Sequence, residues 1–198
     1  MTASTTETRG WRTVDILVAS AIAVAFAVVF WAWNTLWSTT KPAFAGFPPA
    51  QALLYGVWLL PAVLGGLIIR KPGAAVYCET LAAIIAALLG SEWGLMTIPQ
   101  GVAEGIGAEL AFLIFAYRSF NLPVAMLAGA LGGLTATLFD AFVWYPGLSW
   151  TTFRLPYIGF GMLSALVIAG IGGWAMTRAL AQTGVLDRFA SGRERAAV

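Results

Sequence analysis

Glu79, Glu104, Glu109 and Asp140 each interrupt a long apolar run. Charged groups at membrane depth are costly and face a bundle interior or a wet cavity. Around Glu104 the spacing says more: Gln100 stands four residues before it and Gly101 three, so all three share one helix face. Gly105 and Ala108 extend that face with small residues. A polar pair with small neighbours can line a ligand cavity or pack against another helix, and both readings stand. Glu109 is rotated away and lies deeper, where structural hydrogen bonding is the simpler role. Asp140, followed by Phe142, Trp144 and Tyr145, can hold a ligand's donor groups or pair with Arg154. Glu79 lies near the start of its run and is read as paired with Arg70, Lys71 or another basic group. Asp15, beside Arg12, reads as an edge ion pair or cap. Glu92 and Trp93 occupy a tight turn, as turn or lid residues or as ligand contacts.

Aromatic residues crowd the same half of the chain's apolar runs: Trp31, Trp33, Trp37, Tyr55, Trp58, Trp93, Trp144, Tyr145, Trp150 and Tyr157. Only Trp11, Tyr77, Tyr117 and Trp174 fall near the other side. An interfacial belt explains many of them, but a belt is balanced and this set is not. Rings beside buried carboxylates suit a flat, cationic heterocycle, through stacking, cation–π attraction and charge pairing. The candidate ligand set is therefore Glu104, Gln100, Asp140, Trp93, Glu92, Trp58, Tyr55 and Trp37.

Much chemistry is excluded. The 198-residue chain has no histidine, which removes imidazole catalysis and His-ligated metal sites. It has no G-x-x-x-x-G-K-[ST] loop and no G-x-S-x-G elbow. Cys78 is the one cysteine, and a net charge of +2 suggests no nucleic-acid partner. No cofactor, metal or catalytic residue is expected.

The elements that must position these side chains follow from composition. Sixty per cent of residues are hydrophobic and 10% charged, against about 25% charged in soluble domains, so this is an all-α integral membrane protein. Six apolar runs, at 16–40, 50–69, 74–90, 95–117, 122–144 and 156–180, predict a six-transmembrane-helix bundle over 1–182 and a polar, solvated cytoplasmic tail over 183–198. The first run is longer than the 7–15 residues of a signal peptide's core, so it reads as a retained helix. Six crossings put Arg9, Arg12, Arg70, Lys71, Arg118, Arg178, Arg188, Arg193 and Arg195 on one side, and only Lys41 and Arg154 on the other. The positive-inside rule then makes both termini cytoplasmic in a plasma-membrane protein. The fourth run enters from outside near Met96, which sets Glu104 about 12 Å below the outer surface. Ala19, Ala23 and Ala27 stripe the first helix, either for docking a partner subunit or for internal packing.

The segments Ala25-Phe26-Ala27-Val28-Val29-Phe30, Tyr55-Gly56-Val57-Trp58, Ile69-Arg70-Lys71-Pro72-Gly73-Ala74-Ala75, Gly105-Ile106-Gly107-Ala108-Glu109, Leu122-Pro123-Val124-Ala125-Met126-Leu127-Ala128-Gly129, Phe139-Asp140 and Thr183-Gly184-Val185-Leu186 occur in order along nearly the whole chain. With them the chain resembles the S components of energy-coupling-factor (ECF) vitamin transporters, and most of all the YkoE-type family for thiamine and its hydroxymethylpyrimidine precursor. The resemblance implies an outward-opening pocket roofed by the loop between the first two spans. It also implies a transmembrane coupling (T) subunit and two cytosolic ATPases as partners, in keeping with the missing phosphate loop. The reading is a binding subunit for thiamine or hydroxymethylpyrimidine. Its rivals are an S component for another vitamin such as riboflavin, an intramembrane enzyme using Glu104 and Asp140, and a ligand-free scaffold.

Overall fold

The computed structural model describes residues 10–193; Arg9, Arg195 and the last five residues of the expected tail lie outside them. The described chain is helical throughout. Helix α1 (Thr13–Thr40) runs into a 3-10 turn at Lys41–Phe44. A ten-residue 3-10 segment, Pro48–Val57, then leads into α2 (Leu60–Ile69). Helices α3 (Ala74–Leu88), α4 (Thr97–Ile114) and α5 (Leu122–Val143) follow. The last long helix is composite: a π-helical turn at Trp150–Arg154, α6 (Leu155–Ala165), a second π-helical stretch at Leu166–Gly172, and α7 (Gly173–Gln182). A short α8 (Ala190–Arg193) ends the described chain.

Four helical stretches are long and apolar enough to cross a membrane: Thr13–Phe44, Pro48–Ile69, Leu122–Val143 and Trp150–Gln182. Helix α3 is apolar but shorter, and α4 carries Glu104 and Glu109. The second stretch departs from the expected α-helix, because its first half is 3-10. Pro48 and Pro49 open it, and proline lacks the N–H that an α-helical ladder would use. The tighter coil presents the Gly56 N–H to Ser164 Oγ, 2.9 Å away on α6.

Helix α4 packs between α3 and α5. A Cβ on Gly105 would fall 2.8 Å from Val76 Cα, and one on Gly107 2.5 Å from the Leu131 carbonyl oxygen. Only glycine lets the backbones approach so closely on both sides. The small residues beside Glu104 therefore serve packing, while Glu104 itself turns elsewhere.

Of the two readings of the alanine stripe, internal packing is the one the structure displays. Ala19, Ala23 and Ala27 are fully buried, on the same face of α1 as Phe30, Asn34 and Trp37. That face packs on α3, where Ser20 Oγ and Tyr77 Oη are 2.8 Å apart and the Cys78 thiol points at the Ala19 carbonyl. The stripe is packed inside the bundle. What α1 shows outward is Leu17, Val24, Val28 and Trp31.

At the end where α1 begins, Asp15 is fully buried and paired with Arg12 at 2.9 Å and Lys71 at 2.6 Å, as edge pairing predicts. Trp11 Nε1 donates to the Pro72 carbonyl at 3.0 Å. Glu109 accepts from the N–H groups of Gly73, Ala75 and Val76 and from the Tyr117 hydroxyl, so its structural role holds. Glu79 does not pair with a lysine or arginine as expected. Its Oε2 accepts from the Ala62 N–H at 3.0 Å, capping the first turn of α2, while Lys71 serves Asp15 instead.

The expected solvated tail is also corrected as far as residue 193. Leu186 and Phe189 are buried in a cluster with Ala19, Leu64, Ile68 and Cys78. Ser191 Oγ donates to the Ile68 carbonyl at 3.2 Å. Two apolar side chains in a polar segment suffice to fold it back.

Candidate functional site

The opposite end of the bundle holds a cavity to which nearly every long element contributes. Helix α1 presents Phe30, Asn34 and Trp37; the 3-10 segment presents Tyr55, with Trp58 just beyond it; α3 presents Ala83 and Ala86. Trp93 comes from the α3–α4 turn, Thr97, Gln100 and Glu104 from α4, and Asp140 from α5. Trp144, Tyr145 and Tyr157 complete the wall.

Gln100 is the hub. Its Nε2 donates to Tyr55 Oη at 2.6 Å and to Asp140 Oδ1 at 3.1 Å, and lies 3.4 Å from Glu104 Oε1. Its Oε1 accepts from Trp144 Nε1 at 3.2 Å. Tyr157 donates to the second oxygen of Asp140 at 2.7 Å. Glu104 and Asp140 are 5% and 4% exposed, and the Glu79 carboxyl adjoins Glu104 from behind. No lysine or arginine is among the described lining residues; Lys41 stands at the rim, 5.9 Å over the Trp93 ring.

The walls are aromatic and mutually braced. Trp37 and Trp58 meet at 5.1 Å, Tyr55 and Trp58 at 5.2 Å, Tyr145 and Tyr157 at 5.2 Å, and Trp93 and Trp144 at 5.4 Å. Edge and tilted contacts of this kind fix ring planes. Trp58 Nε1 donates to Asn34 Oδ1 at 3.1 Å. Trp37 Nε1 is buried with no partner among the described residues, so a cavity ring carries a spare donor. Burial pushes the Tyr145 phenol up to about 12, helped by the charge of Asp140, so this wall stays a neutral ring across physiological pH. The cavity measures about 40 Å³, room for roughly two or three waters. A larger ligand must part the walls, and the Trp93–Trp144 pair spans the turn after α3 and the end of α5.

Seven of the eight sequence-predicted ligand residues meet here: Glu104, Gln100, Asp140, Trp93, Trp58, Tyr55 and Trp37. Glu92 does not. Its carboxylate accepts from Ser38 Oγ and ties the turn to the end of α1 outside the cavity. The alternative pairing of Asp140 with Arg154 is also absent: Arg154 donates to the backbone carbonyls of Tyr145 and Pro146. Asn34, Trp144, Tyr145 and Tyr157 were missed as site residues. Asn34 had a usable signal, since an amide in an uncharged apolar run is as conspicuous as Gln100.

Three comparisons bear on this geometry. The family described as the permease component of an ABC-type cobalt transport system matches residues 14–135. A relative from Bacillus subtilis (strain 168), named as an HMP/thiamine permease protein, YkoE, is 34% identical over 191 residues, covering 94% of this chain and 92% of its own. A crystal structure titled as an S-component of an ECF transporter aligns with a TM-score of 0.89 at 34% identity, over 94% of each chain.

Proposed function

Since the chain belongs to the S components of ECF transporters, the substrate-binding membrane subunits of an ABC importer, we propose that its aromatic cavity binds thiamine or hydroxymethylpyrimidine. The observation that carries this reading is the convergence of Glu104, Gln100 and Asp140, buried and hydrogen-bonded together, inside rings with no basic side chain among the described lining residues. A thiamine-like ligand brings a fixed positive charge for a carboxylate and flat heterocycles for the rings. Its aminopyrimidine edge offers donors and acceptors to Gln100 and to the spare Trp37 N–H. The absence of histidine from the chain and the ring-rich walls favour an organic cation over a metal ion as cargo. The chain acts as a transporter subunit, with a T subunit and two ATPases supplying the energy it has no phosphate loop to harvest.

The same reading takes α3 and α4 as crossings beside the four long apolar stretches. This makes six, with both termini cytoplasmic and the cavity facing outward in the plasma membrane. Lateral support for the short α3 comes from α1, α2 and α4, and Glu104 and Glu109 on α4 face protein.

The test is Glu104→Gln in the purified protein, titrated calorimetrically. Removing one partner of a buried charge-assisted contact costs about 2–5 kcal/mol, or roughly 30- to several-thousand-fold in affinity. Thiamine should weaken by that factor, and neutral hydroxymethylpyrimidine by less if the thiazolium is the carboxylate's partner. Parent-like thiamine binding by a folded Glu104→Gln protein would place the pocket elsewhere.

A further inference from the structure

Behind the cavity wall, Glu79 is a buried acid whose hydrogen bonds are incomplete. It is fully buried on α3, and its Oε2 accepts from the Ala62 N–H at 3.0 Å. Its Oε1 has no hydrogen-bond partner among the described residues. Helix α4 lies close against it: a Cβ on Gly105 would stand 3.2 Å from Glu79 Cβ, and one on Gly101 3.4 Å from the Glu79 carbonyl oxygen. The Glu79 carboxyl thereby adjoins that of Glu104, whose other side lines the aromatic cavity.

Two carboxylates in contact are acceptors only, so they repel and no hydrogen bond joins them. The groups around this pair do not relieve the repulsion. Tyr55 comes from the 3-10 segment, Gln100 and Glu109 from α4, Asp140 from α5, Tyr145 from beyond it, Tyr157 from α6 and Cys78 from α3 itself. Helix α2 carries no titratable side chain. Asp15 of α1 is held by Arg12 and Lys71, and Lys41 stays at the rim over Trp93. One proton resolves the contact. An un-ionised carboxyl keeps an oxygen that accepts from Ala62 and gains an O–H to donate. Glu79 Oε1 then has a partner, Glu104 gains a donor, and the pair carries a single negative charge.

We propose that Glu79 holds a proton and donates it in a hydrogen bond to Glu104, as the positioning residue for the carboxylate that meets the ligand's cation. The proposal rests on the reading of Glu104 as the cation's partner, and it adds a reason for the charge to sit on the cavity side. An O–H···O⁻ bond is short and strong, so it fixes the Glu104 carboxylate before a ligand arrives, and less remains to be ordered on binding. A pair with one charge also matches a ligand with one fixed positive charge.

The experiment uses the full chain purified in detergent, with two readouts. The first is thiamine titration of two variants. Glu79→Met fills a similar space without a donor and should bind about tenfold or more weakly, the size of one lost hydrogen bond to a charged group. Glu79→Gln keeps an acceptor for Ala62 and an N–H for Glu104, and should restore what the methionine loses to within about twofold. A glutamine as weak as the methionine, or a folded methionine variant as tight as the parent, would overturn the proposal. The second readout is infrared absorption of the ligand-free protein at neutral pH, where an un-ionised carboxyl has a carbonyl stretch that a carboxylate lacks. The parent should show this band and Glu79→Gln should lose it. If neither variant folds, carbon-13 in the glutamate carboxyls of the parent should shift the band, which assigns it to glutamate rather than Asp140. A parent without the band, a band that survives Glu79→Gln, or one unmoved by the label would each sink the idea. A parent that shows the band but binds no thiamine would leave the proton in place and refute the proposed ligand instead.

Discussion

Helix α3 starts behind Gly73, which has no capping side chain, and the acceptor it lacks arrives from Glu109, 36 residues away. The one carboxylate satisfies three N–H groups and the Tyr117 hydroxyl, and it favours the positive end of the helix dipole. Glu109→Ala strands these groups in a buried place, where each unmet partner costs about 1–3 kcal/mol. The variant should therefore lose roughly 2–4 kcal/mol in detergent unfolding while a folded fraction still binds ligand at parental affinity. A loss within about 0.5 kcal/mol, the range of an ordinary surface change, would show the cap to be idle. Such roles were partly legible. Gln100 and Glu104 stand one turn apart, so helical spacing alone placed them together. Arg154 misled because a sequence shows charges but not carbonyls: its guanidinium found two backbone oxygens nearer than Asp140. Tyr157 could not be foreseen, since a tyrosine near a span end looks like any interfacial ring until a carboxylate meets its hydroxyl.

Helical character was readable from the apolar runs, and four of the six became helical stretches long and apolar enough to cross a membrane. Their internal character was not readable. The 3-10 half of the second stretch and the π-helical turns of the last depend on who approaches: Ser164 waits for the Gly56 N–H, and Gly129 lies where a Cβ would collide with the Ala165 carbonyl. The stripe on α1 teaches the same lesson, because small residues announce a close approach without saying what approaches. Here it is α3. Ala23→Trp should accordingly cost more than the usual 1–3 kcal/mol of an overpacked core, and the protein should lose its monodisperse elution and its ligand binding together. Val28→Trp, on the exposed face of the same helix, should leave both unchanged. If Ala23→Trp instead folds and binds normally but fails only in transport, the stripe serves a partner after all.

For the molecule as a whole, the proposed orientation rests on the asymmetry of nine basic residues against two. With Cys78 buried, single cysteines introduced at Lys41 and Ser149 should react with an impermeant maleimide in intact cells, and one at Ser119 should not. Labelling at Ser119 would invert the protein in its membrane, and the aromatic cavity with it. Charge counting could make this prediction because it needs only which loops share a side. It could not foresee that the segment after residue 182 turns back onto the bundle, since its apolar content is too low to register beside the spans.

That return has a consequence for how the chain comes into being. Asp15 leaves the ribosome with Arg12 beside it, but Lys71 is made 56 residues later, so the start of the first helix waits for the second before its charge is fully met. Ser191 reaches the Ile68 carbonyl across 123 residues, and Leu186 and Phe189 close over the same corner. The corner around Asp15 and Ile68 is thus covered by residues made well over a hundred positions after the first helix. Until residues 186–191 have been made, Ile68 and its neighbours stand open.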